Sequence, residues 1–235
     1  MIASVEHGSP SRWRRIVRNT WLHLVAAFVV CGLVLLFVAK PYAVPSSSMA
    51  GTLEPGDRVL VDRLAYLLQD PEMHDVIVFD ADMAWDGAPT SGADPFRATL
   101  RWLGEVTGFG PSGPHTLVKR VIAGAEQVVS CCDAGGRVVV DGVALDEPYV
   151  ENDFPFVSGE VDCTSTPRSL RCFDEVTVPQ GAYLVLGDNR SGSSDSASFC
   201  RGDGTVTDCW RWATRDGVVG AARFVFWPVS RWAGI

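Results

Sequence analysis

The segment HTLVKRVIAG, His115–Gly124, is short, rich in β-branched residues and stopped by a glycine, the pattern of a strand and not of a helix. At a repeat of two, Leu117, Lys119 and Val121 turn to one face. The same signature recurs in DRVLVDRL (Asp57–Leu64), DVIVFD (Asp75–Asp80), GRVVVDGVAL (Gly136–Leu145), GAYLVLGD (Gly181–Asp188) and DGVVGAARFVFWP (Asp216–Pro228), each bounded by Gly, Pro or Asp. The chain therefore reads as mainly β. Asp141-Gly142 between two apolar runs signals a tight hairpin. From Asp80 to Pro114 the composition turns to Gly, Pro and Asp around FRATLRWLGEVTG, where Phe96, Leu100 and Leu103 have helical spacing; a loop with one short surface helix, 96–108, is expected there.

Working outward, Thr20–Ala39 is an apolar run long enough, at 1.5 Å per residue, to match the ~30 Å of a hydrocarbon core. Arg12, Arg14, Arg15 and Arg18 precede it and only Lys40 follows, which places the N-terminus in the cytoplasm and the rest outside. A cleavable leader would have a shorter apolar run and a small-x-small site after it. The net charge of -8 offers no field for a phosphate backbone, so nucleic acid is not an expected partner.

Of seven cysteines Cys31 lies in the span, leaving an even six outside, where disulfides persist. Cys163/Cys172 and Cys200/Cys209 are the preferred pairs. Adjacent Cys131 and Cys132 would need a strained ring to pair with each other, so they are expected to be free or cross-paired. A zinc site is disfavoured because CxxC spacing is absent and only His74 and His115 are available in the exterior part of the chain.

Lys40 and Lys119 are the only lysines. Lys40 suits a snorkelling anchor at the membrane edge. If the Lys119 face is buried, desolvation and neighbouring Arg120 both lower the amine's proton affinity, as a general base requires; the alternative is an exposed edge-strand lysine. Ser46, Ser47 and Ser48 offer hydroxyls, although serine clusters are more often turns or linkers. A Ser/His/Asp site would need His74 or His115, and no GxSxG occurs. LVLGDNRSGSSDSASF, Leu184–Phe199, follows a strand with a dense polar loop suited to lining a site or simply to solvent.

Taken in order, PSSSMAGTLEPGD, HDVIVF, LVKRVI and LGDNRSGSSDS resemble the membrane-bound type I signal peptidases, the Ser/Lys enzymes that remove signal peptides from exported proteins. The likeness runs from Lys40 to about Pro228. It implies Ser48 as nucleophile, Lys119 as general base, and an oxyanion hole made by the Ser46 hydroxyl and the Ser48 amide. It further implies that Ser193 hydrogen-bonds the Lys119 amine, that Asp188, Arg190 and Asp195 order the site, and that Val44 and Val118 line small pockets for Ala-x-Ala residues. No metal or cofactor is called for.

The implied plan is a cytoplasmic tail (1–19), a transmembrane anchor (20–39), a first part of an antiparallel β catalytic core (40–129, with the 80–114 insertion), an inserted smaller β subdomain (130–180), and the rest of the core with a C-terminal tail (181–235). The implied setting is the plasma membrane, single-pass, with the catalytic part extracytoplasmic and near the translocation machinery. Signal peptides of preproteins and the lipid bilayer are the expected partners.

Departures from the family pattern are Gly51 where Pro is usual, His74 where Gly is usual, no Gly-Leu-Pro-Gly-Asp after Lys119-Arg120, Ser191 for an acidic residue, and Ala197 for an arginine. The last leaves Asp195 without its family partner. Other readings are a hydrolase using His74 or His115, a cysteine transpeptidase, and an inactive disulfide-stapled ectodomain that binds export substrates or envelope partners.

Overall fold

The computed structural model describes residues 20–81, 85, 116–201 and 208–235; the expected 96–108 helix lies outside them. Helix α1 (Thr20–Phe37) is followed by β1 (Ala39–Ala43), β2 (Arg58–Asp62), β3 (Val76–Asp80), β4 (Thr116–Ala123), β5 (Val128–Cys131), β6 (Val138–Val140), β7 (Val143–Ala144), β8 (Phe173–Thr177), β9 (Ala182–Leu186), β10 (Ala213–Thr214), β11 (Val218–Trp227) and β12 (Ala233–Gly234). The described chain is mainly β. One eight-stranded sheet has the order β1-β2-β11-β3-β4-β9-β10, with β12 also on β11; a second has the order β7-β6-β5-β8. All the pairings are antiparallel.

The large sheet is covered on both faces, so its inner strands are continuous apolar runs instead of alternating ones. Val76 and Val78 of β3 enter a cluster with Val44, Met49, Leu53, Val59, Val61 and Val225. Ile77 and Phe79 enter another with Val121, Tyr183, Val185 and Ala221. Strand β4 lies between β3 and β9, with Lys119 opposite Ile77 and Arg120 opposite Val76 on one side and Leu186 on the other. The lysine is thereby carried by an interior strand, and the edge-strand alternative falls away.

In the small sheet, Asp141 and Gly142 both have positive φ (49° and 80°) and join β6 to β7 as the Asp-Gly signal requires. Cys163–Cys172 and Cys200–Cys209 are bonded as expected. Cys131 and Cys132, however, are bonded to each other: a cis peptide between them brings their Cα atoms to 2.9 Å, a geometry that a trans-peptide reading of the sequence does not consider.

Helix α1 has 18 residues, about 27 Å at 1.5 Å per residue, and among the described residues no helix is long and apolar enough to cross a membrane. Its apolar side chains, Trp21 and Phe28 among them, are exposed. The Arg63 amide donates to Val38 O at 2.9 Å, tying the end of the helix to the strand that follows the serine turn.

Gly220 of β11 lies against the β2 backbone: a Cβ there would lie 2.2 Å from Asp62 O. Gly220→Ala forces backbone apart and is expected to cost about 1–3 kcal/mol, at roughly 2–4 °C of Tm per kcal/mol for a chain of this length. A thermal melt of the variant beside the wild type measures it.

Candidate active site

Pro45–Gly56 follows β1 as a run of turns, and two apolar residues hold it down: Met49 and Leu53 are buried among Val59, Val61 and Val78. Backbone bonds close it, Ala50 N to Ser47 O at 3.0 Å and Leu53 N to Met49 O at 2.7 Å. The serine cluster is thus a fixed turn seated on the sheet and not a linker. Ser48 is 9% and Lys119 3% exposed, and Lys119 Nζ stands 2.8 Å from Ser48 Oγ. Ser46 Oγ lies 3.4 Å from Ser48 Oγ. Val44 and Val118 meet in the apolar cluster beneath the turn.

The loop after β9 grips this turn from the other side. Asn189 donates its amide to Ser48 O (3.1 Å) and its side-chain nitrogen to Ser47 O (3.0 Å). Gly187 is indispensable at the contact, since a Cβ would lie 2.4 Å from Ser48 O and 2.2 Å from Ser193 Oγ. Ser193 Oγ is buried there and forms no hydrogen bond. The bond expected from Ser193 to the Lys119 amine is therefore not made; the hydroxyl is lodged against Gly187 while the amine is engaged by Ser48.

Asp188, Arg190 and Asp195 each meet an ion of opposite sign from elsewhere in the chain. Asp188, fully buried, receives Arg120 Nε at 2.9 Å and Nη2 at 2.6 Å, and Thr52 Oγ1 donates to it at 2.5 Å. Arg120 Nη1 also donates to His74 O at 2.8 Å, and its guanidinium lies 4.0 Å above the Tyr149 ring. The Arg120 cation beside Lys119 is thus paired with Asp188, and the amine itself is buried. Arg190, 2% exposed, pairs with Glu147 and donates to Gly187 O at 3.1 Å. Burial disfavours the Arg190 charge, yet the Glu147 carboxylate outweighs it and holds the guanidinium above its ordinary range. Burial, with Glu147 beside it, pushes the Tyr149 phenol up, so the hydroxyl stays protonated and donates to Glu147 at 3.1 Å. Asp195, also fully buried, faces Arg201 at 3.4 Å.

Arg120, Thr52, Glu147, Tyr149 and Arg201 were not singled out in the sequence. Only Arg120 carried a signal there, as the neighbour of Lys119. Two departures now have a local cause. Gly51 has φ 97°, which proline with its φ near -65° cannot adopt. His74 has φ 75°, the left-handed conformation that glycine takes most easily; its ring lies beside Tyr149, 3.4 Å from the hydroxyl. As to metals, the sulfurs of Cys132, Cys163 and Cys172 come within 4.8 Å of one another, but each is committed to a disulfide and offers no thiolate.

Residues 17–227 match the family model described as signal peptidase, peptidase S26. The chain is 37% identical to a probable signal peptidase I of Mycobacterium leprae, over 92% of this chain and 78% of the relative. It is 34% identical to signal peptidase I of Mycobacterium tuberculosis, over 98% and 79%. A probable signal peptidase I-1 of Synechocystis is 31% identical over 95% and 88%.

Removing the carboxylate of Asp188 strands a buried guanidinium. Asp188→Ala is expected to destabilise the fold by about 3–5 kcal/mol, read from its denaturant midpoint. His74→Gly acts in the opposite direction: release from a left-handed φ is expected to stabilise by about 1 kcal/mol, visible in the same unfolding measurement.

Proposed function

This chain belongs to the signal peptidase family, peptidase S26, and we propose that it is a membrane-bound serine endopeptidase that removes signal peptides from exported preproteins after small-x-small sites such as Ala-x-Ala. The observation that carries the reading is the buried approach of Lys119 Nζ to Ser48 Oγ at 2.8 Å. An amine with no bulk water around it is poorly stabilised as an ammonium. Neutral Lys119 takes the proton of Ser48 as the hydroxyl oxygen attacks the scissile carbonyl; the proton then passes to the leaving amine, and water activated by the same lysine releases the acyl group. The Ser46 hydroxyl and the Ser48 amide face the developing oxyanion, where donors fixed in advance are most effective. Asp188, Arg190 and Asp195 keep the two loops in register around the pair, and Ser193 supports it from beside Gly187. Val44 and Val118 select by size, so bulky residues before the cut are excluded by contact.

The membrane half of the proposal rests on α1 and what precedes it. A helix made almost wholly of apolar residues whose side chains are mostly exposed among the described residues is suited to lipid, and the arginines on its N-terminal side orient that end to the cytoplasm. The site then stands on the extracytoplasmic side: Ser48 is nine residues beyond Ala39, within roughly 30 Å of the surface even if extended. A signal peptide leaving the translocation machinery presents its cleavage point at that height. An inactive binding ectodomain would have no use for a buried lysine against a serine hydroxyl.

The test is cleavage of an Ala-x-Ala preprotein by the full-length protein in detergent. Wild type is expected to cut after the second Ala. Lys119→Ala is expected to lose about 10²–10⁴-fold in kcat and Ser48→Ala at least as much, with both folded by circular dichroism. An inert wild type, or a folded variant with full activity, overturns the assignment.

A further inference from the structure

We propose that Arg201 is a positioning residue of this active site, supplying from outside the loop motif the cation that the family pattern places at the position of Ala197; this rests on the Ser48/Lys119 reading. Asp195 is fully buried, and a buried carboxylate without a cation is costly to hold ionised. Arg201 answers it, with Nη2 3.4 Å from both carboxylate oxygens and a side chain only 6% exposed. Its other contacts fix its direction. Nη1 donates to Arg171 O at 3.3 Å, and the guanidinium lies 5.2 Å from the Phe154 ring and 5.7 Å from the Phe173 ring.

Both nine-residue disulfides end at this cradle. Cys200, which precedes Arg201, is bonded to Cys209; Cys172, between Arg171 and Phe173, is bonded to Cys163. Arg201 is therefore aimed by cross-linked chain on both sides.

The path from Arg201 to the nucleophile is short. Asp195 accepts from the Gly187 amide at 3.4 Å, from the Ala197 amide at 3.2 Å and from Ser198 Oγ at 3.2 Å. Ser198 Oγ also bonds Ser193 O at 3.2 Å. Gly187 and the next two residues form the wall against which Ser48 O rests. A carboxylate held by Arg201 thus holds the segment that holds Ser48. Without the cation the Asp195 carboxylate loses the partner that fixes it, and the Gly187 contact loosens. The effect falls on alignment of Ser48 with Lys119, and so on turnover more than on substrate capture.

The test uses the full-length protein in detergent with an Ala-x-Ala preprotein. Arg201→Met keeps the stem and removes the charge; it is expected to lower kcat at least tenfold with KM within about twofold. Arg201→Lys keeps the charge and is expected to recover part of that loss. Asp195→Asn is expected to fall by a similar factor, and the Arg201→Met/Asp195→Asn double variant to be no worse than the poorer single one, since both act through one contact. The proposal is overturned if folded Arg201→Met keeps kcat within twofold, if the two losses multiply, or if only Tm falls while the folded fraction turns over at the wild-type rate. Ser48→Ala is assayed in parallel. If it stays active the nucleophile assignment fails; if it is inactive while Arg201→Met is unimpaired, only the Arg201 assignment fails.

Discussion

The bidentate pair between Arg120 on β4 and Asp188 after β9 is the contact from which the site is organised. It joins two neighbouring strands at the point where their side chains leave the sheet, and through Thr52 and His74 it reaches the serine turn and the entry to β3. Lys119 precedes Arg120 in the same strand, so a pair that fixes Arg120 also fixes the height from which the amine projects. The interior of the sheet excludes water from both ions, which makes their geometry exacting: two charges removed from water are tolerated only when nearly every lone pair and N–H is matched. Here the carboxylate receives three bonds, and the guanidinium makes four donor contacts and lies against an aromatic face.

The same solution is used three times along one loop. Asp188, Arg190 and Asp195 are seven residues apart at most, and each is held by an ion from outside that stretch: β4, the stretch after β7, and Arg201 just after the loop. A polar loop that would otherwise belong to solvent is converted into a wall. Glycine at 187 then lets that wall touch the backbone of Ser48 directly. The two nine-residue disulfides flank the Arg201–Asp195 pair, the longest of the three.

How much of this was legible varies with the range of the interaction involved. The strands, the Asp141-Gly142 hairpin and the pairs Cys163–Cys172 and Cys200–Cys209 follow from local pattern, because periodicity and turn chemistry act over a few residues. The Cys131–Cys132 bond was missed because it depends on one peptide being cis, which side-chain types do not announce. Glu147, Tyr149 and Arg201 were missed for another reason: Glu147 and Tyr149 meet groups dozens of residues away, Arg201 lies outside the motif of the carboxylate it meets, and an arginine on a loop looks the same in sequence whether it faces solvent or a buried carboxylate.

What the sequence by itself determined is the inventory and its order: an apolar run flanked by arginines, Val-rich strands, two lysines in all, a serine turn, and a polar loop after an apolar strand, together enough to resemble one family. Those are properties of composition, period and spacing. Only the tertiary structure decided that Lys119 stands buried on an interior strand within reach of Ser48, that Arg120 is paired with Asp188, that Ser193 is lodged against Gly187, and that Arg201 faces Asp195 where Ala197 cannot. Each depends on strand order and on which groups lose their water together, and neither is a property of any one stretch of chain.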